Sequence, residues 1–110
     1  VKGHRPTITV LCGSTRFKAE FEDANRFLTY AGNIVLAPGV FGHADGIDLT
    51  DDRKARLDEL HLRKIDLADE VLVINPGGYI GESTRAEIAY AEKAGKRVSY
   101  VDYTVQGQQQ

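Results

Sequence analysis

Four short apolar runs, each stopped by a turn containing glycine or proline and separated by stretches of helical spacing, constrain the fold of this chain more than any other feature. The first, Thr7-Ile8-Thr9-Val10-Leu11, is rich in β-branched residues and unbroken until Cys12-Gly13-Ser14, the pattern of a buried strand running into a tight turn. Phe17, Phe21, Ala24, Leu28 and Ala31 then form one helical stripe, closed by Gly32. A second strand follows over residues 33–37. Thr50 opens the next helix, because its hydroxyl can accept an orphan N–H while Asp51 and Asp52 suit the positive end of the dipole. Leu57, Leu60, His61, Ile65 and Ala68 give that helix its buried stripe. Residues 70–75 make a third strand ending at Pro76-Gly77-Gly78, Ser83 or Thr84 caps an alanine-rich helix that ends at Gly95, and residues 97–101 supply the fourth strand.

Strands that alternate with helices and are apolar almost throughout belong in a parallel sheet covered on both faces. The chain therefore reads as α/β, a single-domain flavodoxin- or Rossmann-like sheet. Right-handed crossovers favour the strand order 2-1-3-4, with room for a short fifth strand after Asp102. A length of 110 residues suits one domain, taken as residues 1–105. Residues 106–110 read as a flexible polar tail, and with Val1 at its start the chain reads as trimmed. Residues 38–48 form a connection longer than usual, a place where function tends to collect.

Composition narrows the partners. With 14 Lys+Arg against 16 Asp+Glu, a net charge of −2 offers no broad basic face for a nucleic acid polymer or an anionic membrane. The apolar run Val71 to Ile74 is far too short to span a bilayer, and a cytoplasmic protein is expected. Cys12 is the single cysteine, which excludes an internal disulfide and a cysteine-based zinc site. His4, His43, Asp45 and Asp48 lack metal-ligand spacing, so neither metal nor cofactor is expected.

In such a sheet, ligands bind beyond the carboxyl ends of strands 1 and 3. That rule selects residues 12–17 and 75–84. In the first loop Gly13 permits close backbone approach, Ser14 and Thr15 offer hydroxyls, and Arg16 can grip a phosphate at a helix N-terminus; the alternative is a plain helix cap with a solvated Arg16. In the second, Gly78 and the hydroxyls of Ser83 and Thr84 precede Glu87, whose carboxylate faces either the mouth of the sheet or its own helix, because Thr84-Arg85-Ala86-Glu87 also fits a capping box. His61 is either a core histidine or an acid–base group, and Asp69 either a site residue or a cap of the turn into strand 3. Phe41 and Tyr79 are candidates for stacking on a base.

Together, Leu11-Cys12-Gly13-Ser14-Thr15-Arg16, then Ile65-Asp66-Leu67-Ala68-Asp69-Glu70-Val71, then Glu87-Ile88-Ala89-Tyr90-Ala91 before Gly95-Lys96-Arg97-Val98 resemble the nucleoside 2-deoxyribosyltransferase superfamily. The first loop is most similar to that of the nucleoside 5′-monophosphate N-glycosidases. The resemblance implies Glu87 as a nucleophile that forms a glycosyl-enzyme ester, Gly13, Ser14 and Arg16 as sugar–phosphate contacts, and Asp69 as the acid opening strand 3. It also implies a homodimer. The chain departs from the pattern at His61, where relatives often carry an Asp, at Ser83 and Arg85, where they have glycines, and at Gly81, where they have a phosphate-binding serine.

The function expected is an N-glycosidase that hydrolyses, or transfers across, the base–sugar bond of a nucleoside or nucleoside 5′-monophosphate, with Glu87, His61 and Asp69 catalytic. Cys12, Gly13, Ser14, Thr15, Arg16, Gly78, Ser83 and Thr84 would bind substrate. The alternatives are a non-catalytic nucleotide sensor, a lysine-decarboxylase-like phosphoribohydrolase suggested by Pro76-Gly77-Gly78, and an interaction scaffold.

Overall fold

A computed structural model describes residues 5–105 of the chain. Strands β1 (Ile8–Gly13), β2 (Ile34–Leu36), β3 (Glu70–Ile74) and β4 (Arg97–Val101) alternate with helices α1 (Lys18–Tyr30), α2 (Gly42–Asp45), α3 (Asp51–Leu67) and α4 (Glu82–Lys93). All strand pairs are parallel and the sheet order is β2-β1-β3-β4, as the crossover rule requires.

Alternation along β1 divides the interior. Val10 and Cys12 face a cluster with Val71, Val73, Ile65 of α3 and Ala91 of α4, whereas Leu11 faces Phe21 and Ala24 of α1 together with Ile74. Both faces of the sheet are thus covered, and the central strands are buried on each side. Gly13 ends β1 at φ 154°, where a Cβ would stand 2.6 Å from the Ile74 carbonyl oxygen and 3.3 Å from the Phe21 ring. Only a residue without a side chain lets β1 turn into its loop so close to β3.

Thr50 caps α3 by accepting from the Arg53 N–H at 3.2 Å. Helix α4 starts earlier than expected: Gly81, in extended conformation, is its N-cap, and the Gly81 carbonyl accepts from the Arg85 N–H at 3.0 Å. Ser83 and Thr84 therefore lie inside the helix. The long connection holds one unforeseen helical turn, α2, closed by left-handed Gly46.

A fifth strand does not form over residues 102–105. Side chains of α1 take up that segment instead: Glu20 accepts from the Val105 N–H at 3.1 Å and Asp23 from the Tyr103 hydroxyl. The expected polar tail, residues 106–110, lies outside the described residues. Among the described residues no helix is long and apolar enough to cross a membrane.

Candidate active site

The carboxyl ends of β1 and β3 open into a cleft of about 760 Å³. Its floor is formed by Gly13 and the following loop, one wall by α3, the other by Gly81 to Glu87, and its roof by the 38–49 connection with α2. Thr15 Oγ1 accepts from the His43 N–H at 3.3 Å, tying the first loop to that roof.

Glu87 projects into this cleft from a turn inside α4, with Oε1 buried and without a hydrogen-bond partner. The capping-box alternative fails because Thr84 is not at the helix start. His61 comes from α3, and its Nε2 stands 3.9 Å from Glu87 Oε1 and 3.3 Å from Cys12 Sγ beneath the cleft floor. The two readings of His61 merge, since it is buried and also aimed at the carboxylate.

Burial governs the electrostatics. It pushes the Glu87 carboxyl up to about 7, because ionisation there must occur away from water. It also lowers His61 to about 4, helped by the nearby Lys64 charge, so the imidazole is neutral at neutral pH. The Cys12 thiol is held well above its ordinary range by burial and then by the Glu87 charge.

At the outer end of the cleft, Lys54 Nζ donates to Ser83 Oγ at 3.2 Å and pairs with Asp58. Lys64 Nζ donates to the Ala37 carbonyl at 2.8 Å. Arg16 Nε donates to Ser14 Oγ at 3.0 Å, and its guanidinium lies 4.4 Å from the centre of the Tyr79 ring. Ser14, Thr15, Ser83, Thr84 and Tyr79 thus line the cleft, with Arg16 stacked on its rim. Phe41 packs instead on Phe21 in the α1 core.

Cys12, expected to bind substrate, is fully buried beneath the cleft and does not line it, and two further expected site residues lie elsewhere. Asp69 precedes β3 at the amino end of the sheet, roughly 16 Å of strand from the cleft. There it accepts from Arg5 at 2.6 and 2.8 Å and from the Ile8 N–H at 2.8 Å, so its work is to fasten the entry to β1. Gly78 is exposed in a 3-10 turn over Pro76–Gly78, away from the cleft lining. Lys54, Asp58 and Lys64 were missed in the sequence. The signal was present: Lys54, Leu57, Asp58, His61 and Lys64 recur at helical intervals on one face of α3. Leu60, expected in the buried stripe of α3, is 52% exposed on the cleft wall.

No protein-family model matches the chain, and no curated protein matches its sequence.

Proposed function

We propose that the chain is an N-glycosidase that breaks the base–sugar bond of a nucleoside or nucleoside 5′-monophosphate, with Glu87 as nucleophile. The observation that carries this reading is the buried, unpartnered Oε1 of Glu87 inside the cleft at the switch point of the sheet. A buried carboxylate with one oxygen left unpaired is a reactive one, and an anomeric carbon is the electrophile it suits. Attack forms the C–O bond of a glycosyl ester as the C–N bond to the base breaks. The departing base takes its proton from solvent water, and water then cleaves the ester to free the sugar and the Glu87 carboxylate, returning a proton to solvent.

Hydroxyls of Ser14, Thr15 and Ser83, with the ammonium of Lys54, supply the polar contacts for sugar and phosphate, and Tyr79 offers a ring for the base. An imidazole held neutral by burial is a weak acid. That favours His61 as a contact to the sugar or a guide for Glu87 over a proton donor to the base. Hydrolysis is preferred to transfer on the resemblance of the first loop to that of the nucleoside 5′-monophosphate N-glycosidases. A homodimer belongs to the same reading, with exposed Phe27 and Tyr30 of α1 as apolar side chains it would cover, and light scattering that shows an active monomer refutes it.

The sensor reading draws on Arg16, whose guanidinium rests on Tyr79 and not in the cleft. The phosphoribohydrolase alternative loses support, because Pro76–Gly78 lies outside the cleft lining. A panel of ribo- and deoxyribonucleosides and their monophosphates, followed by chromatography for free base, separates the first two. Base release is expected; binding without release across the panel establishes the sensor.

A further inference from the structure

We propose that Cys12, His61 and Glu87 form a binding site for a thiophilic divalent cation of the zinc class, with a fourth coordination position open to the cleft. Their ligand atoms, Sγ, Nε2 and a carboxylate oxygen, all lie within 4.8 Å of one another. The Cys12–His61 and His61–Glu87 separations are 3.3 and 3.9 Å. Around a tetrahedral ion with bonds of about 2.0–2.3 Å, neighbouring ligand atoms stand roughly 3.3–3.7 Å apart; Cys12 and His61 already have that spacing, and the Glu87 oxygen lies just outside it, within reach of a small side-chain shift.

Two further features fit an ion. The ligands come from β1, α3 and α4, elements fixed against one another by the core, so the geometry needs little folding around the metal. Glu87 Oε1 is buried without a partner, and a cation would supply one.

Charge balances as well. A divalent ion bound by one thiolate, one carboxylate and one neutral imidazole leaves the buried cluster with no net charge, and binding releases to solvent the Cys12 proton and any proton held by Glu87. Sulfur and imidazole nitrogen select zinc-like ions over magnesium or calcium, which require oxygen ligands. Cys12 lies beneath the floor while His61 and Glu87 line the cleft, so the remaining position points to solvent or to a bound molecule. This proposal departs from the expectation that a single cysteine excludes a cysteine-based zinc site: one thiolate suffices when a histidine and a carboxylate complete the set, and with ligands spread over positions 12, 61 and 87 no short motif announces it. On the glycosidase reading, an ion here occupies the nucleophile and inhibits the enzyme; that consequence rests on the reading, whereas the binding does not.

The test is a titration of the full, tag-free chain with Co²⁺, followed by absorption spectroscopy. One equivalent of Co²⁺ should give a thiolate-to-cobalt charge-transfer band with intense tetrahedral visible bands, and Zn²⁺ should displace both. Cys12→Ser should lose the charge-transfer band, and Glu87→Gln, checked for folding by circular dichroism, should bind at least about tenfold more weakly. Absence of the charge-transfer band in the parent, or unchanged affinity in Glu87→Gln, overturns the site. Base release assayed with a chelator present keeps the two proposals apart. Cobalt binding without base release upholds the metal site and overturns the glycosidase, and base release without cobalt binding does the reverse.

Discussion

The Nε2 of His61 on α3 stands 3.9 Å from the Oε1 of Glu87 on α4, and both side chains are almost sealed from solvent. Two helices on the same face of the sheet thereby share a buried polar contact, above Cys12 of the central strand β1. Substitutions at this point separate what the site does from what the fold needs.

Glu87→Gln should stabilise the chelator-treated protein at pH 8. The folded carboxyl titrates at about 7, above its ordinary 4.5, so the folded state holds the proton more tightly and stability falls as pH rises through that interval. Removing the charge should recover up to about 3 kcal/mol at pH 8 and almost nothing at pH 4. Urea unfolding at the two pH values measures this, and a variant less stable than the parent at pH 8 contradicts the burial argument.

Asp69→Asn should lower thermal stability at neutral pH while leaving the proposed base release within a factor of about three. Arg5 and the Ile8 N–H hold this carboxyl well below its usual range. A depressed acid contributes stability above its unfolded value of about 3.9, and that contribution is lost as pH falls below it. The melting-temperature gap should therefore narrow in buffers below about pH 4. Loss of activity in a folded Asp69→Asn protein would return the residue to the site.

Gly13→Ala should be the most damaging single-methyl change near the cleft. The added Cβ meets the Ile74 carbonyl at 2.6 Å on a backbone with φ of 154°, and strain of this kind costs on the order of 2–4 kcal/mol. Chemical denaturation reads the loss directly. A change under about 0.5 kcal/mol would show that β1 and β3 can separate here.

Lys54→Met should raise KM for nucleoside monophosphates by about 10–100-fold with little effect on kcat or on unphosphorylated nucleosides. The ammonium already contacts Ser83 at the cleft mouth, where a phosphate would replace the hydroxyl. Equal losses for both substrate classes would remove Lys54 from the phosphate site.

The sheet was legible because its information is local. Val71-Leu72-Val73-Ile74 is too apolar to face water on either side, and the crossover rule then leaves few strand orders. Thr50 was equally plain, since a cap depends on three neighbouring residues. The start of α4 was not, because two hydroxyls competed as caps and an extended glycine ahead of them prevailed. Asp69 misled for a different reason: its partners, Arg5 and Ile8, lie more than sixty residues away in sequence, and nothing near it reveals which end of the sheet it serves. The Cys12–His61–Glu87 cluster is likewise a product of packing alone.

The measurement that tests the central claim most directly is base release by the chelator-treated parent and by Glu87→Gln, matched for folding by circular dichroism and assayed on the best substrate of the nucleotide panel. The account predicts release by the parent and a loss of at least about 10²-fold in the variant. Comparable release by both proteins would contradict it, because the bond would then be broken without the carboxylate that the fold places in the cleft.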